Sequence, residues 1–146
     1  MNVGSLCARP PVTVSTDASL AEAARLMCER HVGSIVVMGE GAGRAQVAGI
    51  ITDRDIVRAQ VHRTSDLSTL SAADIMTADP LAISEHDSIG AAVSHMRARG
   101  VRRAPVVSQD GTLVGVVSAD DLLARLAAQV AGMAGIVAQQ VRAEIG

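Results

Sequence analysis

The chain repeats itself, and an internal repeat restricts the possible folds more than any single motif does. Displaced by 69 positions, Pro11-Val12-Thr13-Val14-Ser15 falls on Pro80-Leu81-Ala82-Ile83-Ser84. Ser19-Leu20 likewise falls on Ser88-Ile89, Met27 on Met96, Arg30 on Arg99, Val32 on Val101, and Leu6-Cys7 on Ile75-Met76. Past Gly39 the displacement is 66, because the first copy has three extra residues in the loop Gly39-Glu40-Gly41-Ala42-Gly43. Gly49-Ile50-Ile51-Thr52 then falls on Gly115-Val116-Val117-Ser118, and Asp55-Ile56 on Asp121-Leu122. Strict identities are few. Apolar positions and turn residues match throughout, and that is what a shared fold requires.

Both copies follow one pattern. A short lead (Leu6-Cys7, Ile75-Met76) precedes a proline and an extended piece, Val12–Ser15 or Leu81–Ser84; proline disfavours helix in the residue before it. A helix follows, with Ser19 and Ser88 as N-cap candidates. Leu20, Ala23, Ala24 and Met27, and Ile89, Ala92, Val93 and Met96, recur at helical spacing. Two apolar runs come next, Ile35–Met38 and Val47–Ile51 in the first copy, Ala104–Val107 and Leu113–Val117 in the second. Glycine-containing turns separate them, so each pair is expected to form neighbouring strands. A second helix opens at Thr52 or Ser118. The expected fold is α+β: two tandem β-α-β-β-α motifs packed sheet to sheet with pseudo-two-fold symmetry. One copy of about 60 residues would be marginal alone, so the two are expected to share one core. Residues 1–61 form the first motif, 62–72 a polar linker, 73–130 the second motif and 131–146 an extension of the last helix.

Composition removes several classes of function. The formal net charge of −2 offers no basic field for a duplex, so nucleic acid is not an expected partner. With two cysteines, no CxxC, and histidines never spaced i, i+3 or i, i+4, neither a metal site nor a disulfide framework is expected. His31, His62, His86, His95 and Cys28 are expected at the surface. Gly39–Gly43 is expected to be a flexible hairpin loop; it lacks the Gly-Lys-Thr/Ser ending of a phosphate loop. No nucleophile–base pair or paired catalytic carboxylates are evident, so no catalytic residues and no enzyme are expected. The start of the chain lacks a secretory signal, which makes a reducing cytoplasm the expected location. Arg125, Gln129, Gln139 and Gln140 interrupt the apolar stretch Leu122–Val141, making it a poor membrane span, and no membrane partner is expected. There is no Phe, Tyr or Trp, so a bound base would have to lie between aliphatic side chains.

Gly49-Ile50-Ile51-Thr52-Asp53-Arg54-Asp55-Ile56 resembles the signature that ends a cystathionine-β-synthase-type (CBS) motif: Gly, two apolar residues, Thr or Ser, two more, then Asp. Gly115-Val116-Val117-Ser118-Ala119-Asp120-Asp121-Leu122 resembles a second occurrence. Ala73-Asp74-Ile75-Met76-Thr77 resembles the lead of a second motif. Gly33-Ser34-Ile35-Val36-Val37 and Arg102-Arg103-Ala104-Pro105-Val106-Val107 resemble the middle strands. The resemblance covers about residues 3–130 and is to a tandem CBS pair, or Bateman module, standing alone. It implies a regulatory module that binds an adenosine-containing ligand (AMP, ADP, ATP, NAD or S-adenosylmethionine) between the copies, uses no catalytic cofactor, and signals to a regulated protein through a dimer.

Under that resemblance Asp55 accepts hydrogen bonds from the ribose diol, and Thr52 donates to a phosphate at a helix N-terminus, where anions are favoured. Arg54, beside Asp53, helps neutralise the phosphate. Ser118 and Asp121 take the same roles in a second cleft, with Ala119 and Asp120 where the first has Asp53 and Arg54. Arg102 and Arg103 are the candidates to compensate there. The clefts are thus expected to be unequal, with the phosphorylated ligand at Thr52/Asp55. The adenine is expected near Val14, Ile35 and Ile51, or Ile83, Ala104 and Val117, with Ser34 and Pro105 also in contact. Thr-x-x-Asp and Ser-x-x-Asp at helix starts equally resemble capping boxes, which satisfy local N–H donors and bind nothing, leaving a structural or partner-binding scaffold with degenerate clefts.

Leu122, Leu126, Val130, Met133, Val137 and Val141 make one apolar stripe on the last helix, with Gly132 and Gly135 as kink candidates. A helix continuing past Gln129 is expected either to pack on a second chain, making a homodimer, or to fold back on its own pair.

Overall fold

The computed structural model describes residues 1–41, 43–63 and 66–145; Ala42 of the glycine-rich loop, Thr64 and Ser65 of the linker, and Gly146 lie outside them. The first sheet contains β1 (Thr13–Ser15), β2 (Ser34–Gly41), β3 (Arg44–Thr52) and β4 (Thr77–Ala78), in that order. β1 runs parallel to β2, and β2 pairs antiparallel with β3, Ile35 opposite Ile51. The second sheet repeats the scheme with β5 (Ile83–Ser84), β6 (Arg103–Val107) and β7 (Leu113–Ser118), Ala104 opposite Val117. The helices are α1 (Leu20–Arg30), α2 (Asp53–Arg63), the short α3 (Ala72–Ile75), α4 (Ile89–Arg99) and α5 (Ala119–Ile145).

The helix starts are where the caps place them. The Glu22 N–H donates to Ser19 Oγ and the Ala91 N–H to Ser88 Oγ, each at 3.1 Å. α1 and α4 both end in a left-handed residue, His31 (φ 54°) and its repeat partner Gly100 (φ 63°). Gly39, Glu40 and Gly41 are not loop, as their glycine content suggested. They pair with Gln46, Ala45 and Arg44, extending the β2–β3 ladder to the tip of the hairpin.

Two buried clusters replace the single core expected from size. One contains Val14, Leu20, Ala23, Met27, Ile35, Val37, Ile51, Ala59 and Ala72. The other contains Val3, Ile83, Ile89, Ala92, Met96, Ala104, Val106, Val117 and Leu122. Each fills the space between one sheet and its own helices. Val36 and Ile50 are buried but belong to neither cluster. Strand alternation puts them on the opposite sheet face, where β3 meets β6.

The leads are exchanged between the copies. Val3, wholly buried, sits in the second cluster, and the N–H groups of Val3 and Gly4 donate to the carbonyls of Asp87 and Glu85, both at 2.9 Å. Ala8 bridges Val116 of β7. In the mirror arrangement Ala72 sits in the first cluster, and Thr77 of β4 pairs with Ile50 of β3. Gly49 and its repeat partner Gly115 make room for these crossings. A Cβ on Gly49 would lie 2.5 Å from Met76 Sδ and 2.8 Å from the Thr77 carbonyl; on Gly115, 2.5 Å from the Ala8 carbonyl. The segment expected as a polar linker also packs, with Leu67 and Leu70 against the first cluster.

α5 runs unbroken for 27 residues, about 40 Å, through both glycines. Only Leu122 is buried. Val130, Met133, Ile136 and Val137 are all more than 60% exposed, so the helix does not fold back on its own pair. By length and composition alone it is long and apolar enough to cross a membrane, despite its two arginines and its glutamines.

Candidate ligand clefts between the two repeats

Two clefts lie between the copies, and the repeat relates their walls. The first, about 460 Å³, is lined by Ile50, Thr52, Asp53, Arg54 and Asp55 of the first copy and by Thr77, Pro80, Leu81, Arg99, Val101, Arg102 and Arg103 of the second. The second, about 330 Å³, is lined by Val116, Ser118 and Asp121 of the second copy, facing Ala8, Pro10, Pro11, Val12, His31, Val32, Gly33 and Ser34, with Arg103 at its edge. Thr52/Ser118, Asp55/Asp121, Ile50/Val116, Val12/Leu81 and Val32/Val101 are repeat partners. Neither cleft exists in one copy alone.

Each helix start carries a reciprocal capping box. The Thr52 N–H donates to Asp55 Oδ2 at 2.8 Å, and the Asp55 N–H donates to Thr52 Oγ1 at 3.2 Å. In the second copy the Ser118 N–H donates to Asp121 Oδ2 at 3.2 Å and the Asp121 N–H to Ser118 Oγ at 3.1 Å. The capping geometry is therefore real. It uses one oxygen of each carboxylate and the acceptor side of each hydroxyl. Among the described residues Asp55 Oδ1, Asp121 Oδ1 and the Thr52 hydroxyl proton have no partner, and the three side chains line open clefts rather than plugged grooves.

The charges are unequal. Around the first cleft stand the guanidinium groups of Arg54, Arg99, Arg102 and Arg103 and the carboxylates of Asp53 and Asp55. Arg102 reaches Asp120 at 3.3 Å, and Arg99 donates to the Asp79 carbonyl at 3.2 Å. Arg103 donates to the Gly33 carbonyl at 3.1 Å and stands 3.8 Å from Asp53. The second cleft is lined by Arg103, His31 and Asp121 as its titratable groups. Arg102, the other expected compensating cation, does not line the second cleft itself; it lines the first and a small cavity of about 80 Å³ with Arg103, Ser118 and Asp120.

Thr52, Asp53, Arg54, Asp55, Arg102 and Arg103 meet in the first cleft, and Ser34, Ser118 and Asp121 in the second. The apolar residues expected to hold the base do not. Val14, Ile35, Ile51, Ile83, Ala104 and Val117 point into the helix-facing clusters, and Pro105 is fully buried; none lines a cleft. The error is one residue of strand parity: Ile50 and Val116, not Ile51 and Val117, face the clefts. Sequence reasoning also misses Arg99, the last residue of α4, and Val101 just beyond it. Their repeat partners Arg30 and Val32 showed that this turn is shared, but nothing local showed that it closes over the other copy. Among the described residues no cluster of His, Cys, Asp or Glu could hold a metal ion.

Comparisons with known proteins agree with this architecture. The sequence profile of the CBS domain matches residues 3–62 and 72–128. The chain is 33% identical to the CBS domain-containing protein YhcV of Bacillus subtilis, over 75% of this chain and 74% of that one. It is 32% identical to an uncharacterized protein of Methanopyrus kandleri over 84% of its own length, but spans only 61% of that relative. A CBS domain protein from Pyrobaculum aerophilum, solved in complex with AMP, superimposes with a TM-score of 0.75 at 29% identity, covering 88% of this chain and 99% of that one. With two profile matches in tandem on two repeat-related half-clefts, the chain belongs to the CBS domain family, as a CBS pair.

Proposed function

We propose that this CBS pair is a regulatory module that senses an adenosine nucleotide in the cytoplasm, binding a phosphorylated form in the first cleft. One observation carries the reading: four arginines surround an open cleft at the Thr52–Asp55 helix start, while a single arginine reaches the other. Asp55 Oδ1 would accept from the ribose hydroxyls. Thr52, the first N–H groups of α2 and the guanidinium groups would take the phosphate. Ile50, Leu81 and Val101 supply the aliphatic walls that replace aromatic stacking. The AMP complex of the similar Pyrobaculum protein supports this ligand class. The exposed apolar length of α5 supports self-association into a homodimer, through which occupancy would reach a regulated protein.

The two capping boxes favour a second reading, a scaffold whose clefts stay empty. Absorbance separates them. With no Trp or Tyr, the purified protein has almost no absorbance of its own near 260–280 nm. Nucleotide carried through purification gives a peak near 260 nm, and AMP at about 100 times its dissociation constant raises Tm by about 5–11 °C. No shift with AMP, ADP, ATP, NAD or S-adenosylmethionine leaves the scaffold.

A further inference from the structure

We propose that Arg103 is a cation shared by the two clefts, so that a phosphorylated ligand in the first weakens binding of a phosphorylated ligand in the second. The inference rests on the ligand reading above. The repeat places Arg102-Arg103 where the first copy has Gly33-Ser34. By symmetry Arg103 belongs to the first cleft and Ser34 to the second, yet Arg103 lines both. Its guanidinium crosses to the other copy because Gly33 has no side chain: a Cβ there would lie 2.6 Å from Arg103 Nη2. Nη1 donates to the Gly33 carbonyl at 3.1 Å, which holds the charge at the edge of the second cleft, 3.8 Å from Asp53 in the first.

One planar guanidinium cannot face two phosphates in separate clefts with full geometry. A phosphate in the first cleft draws Arg103 away from Gly33, and the second cleft loses the only arginine that lines it among the described residues. The second cleft then binds a phosphate more weakly, while a neutral nucleoside there loses nothing. The coupling is reciprocal, as linkage requires.

The test is calorimetric titration of the full chain. Asp55→Ala weakens the first cleft about ten- to a hundredfold, so its tightest AMP event reports the second cleft with its neighbour mostly empty. That affinity is expected to exceed the second AMP event of the wild type by about tenfold or more, the value of one charge-assisted hydrogen bond. Adenosine shows no such difference. In Arg103→Met, and in Gly33→Ala, which dislodges the guanidinium but keeps its charge, the difference between empty-neighbour and filled-neighbour affinities disappears. Equal second-cleft affinities in wild type and Asp55→Ala, a difference that survives Arg103→Met, or no AMP binding in Asp55→Ala each overturn the shared-cation inference alone. No AMP binding in the wild type overturns the ligand reading and this inference with it.

Discussion

Asp55→Ala separates the capping role that this carboxylate plays in the structure from the ribose-binding role proposed for it. Its Oδ2 accepts the Thr52 N–H at 2.8 Å, at the start of an 11-residue helix. Removing a capping partner costs about 1 kcal/mol. For a chain of 146 residues that lowers Tm by about 2–4 °C. The other oxygen, Oδ1, has no donor among the described residues, and Asp55 lines the first cleft. If it accepts a ribose hydroxyl, truncation removes a hydrogen bond to a charged group, about 1.5–3 kcal/mol, which is about ten- to a hundredfold in affinity. Asp74→Ala is the control. Asp74 closes a third capping box, on Ser71, and lines neither cleft. Thermal melts and AMP titration on both variants give the comparison. The expected result is a loss of Tm in both and a loss of first-cleft affinity in Asp55→Ala alone. A few degrees of destabilisation in Asp55→Ala with first-cleft affinity within about twofold of wild type would refute the ribose role and leave the carboxylate as a cap.

Three further outcomes are expected. Gly49→Ala and Gly115→Ala each push a Cβ to 2.5 Å from the exchanged lead, and each should cost about 1–3 kcal/mol in urea unfolding; a neutral result would contradict the lead exchange. Deleting residues 131–146 should convert a self-associated protein to a monomer by light scattering, and a wild-type monomer at micromolar concentration would remove the self-association reading. Asp110 accepts from the Ser108 hydroxyl and then from the Thr112 N–H, which holds its carboxyl down at about 2, below its ordinary 3.8. Because the folded value is the lower one, its contribution is present above about 3.8 and lost as the pH falls through about 2. The Tm difference between wild type and Asp110→Asn should therefore be present at neutral pH and close on acidification.

Sequence alone determined the duplication, the β-α-β-β-α order, the serine caps and the identity of most polar cleft residues. These are local properties: a period of two or of 3.6, a capping side chain, a glycine where the backbone turns. Tertiary structure alone decided which face of each strand meets its helices and which meets the other sheet. Both faces are covered, so both carry aliphatic residues. Ile50 and Ile51 are chemically equal, and parity cannot be read from either. Structure also decided that each lead crosses to the other copy, that Arg102 turns to Asp120 in the first-cleft wall, and that Arg103 spans both clefts. Those placements depend on contacts between residues far apart in the chain, Arg103 and Gly33 being 70 positions apart, and no window of neighbouring sequence contains them.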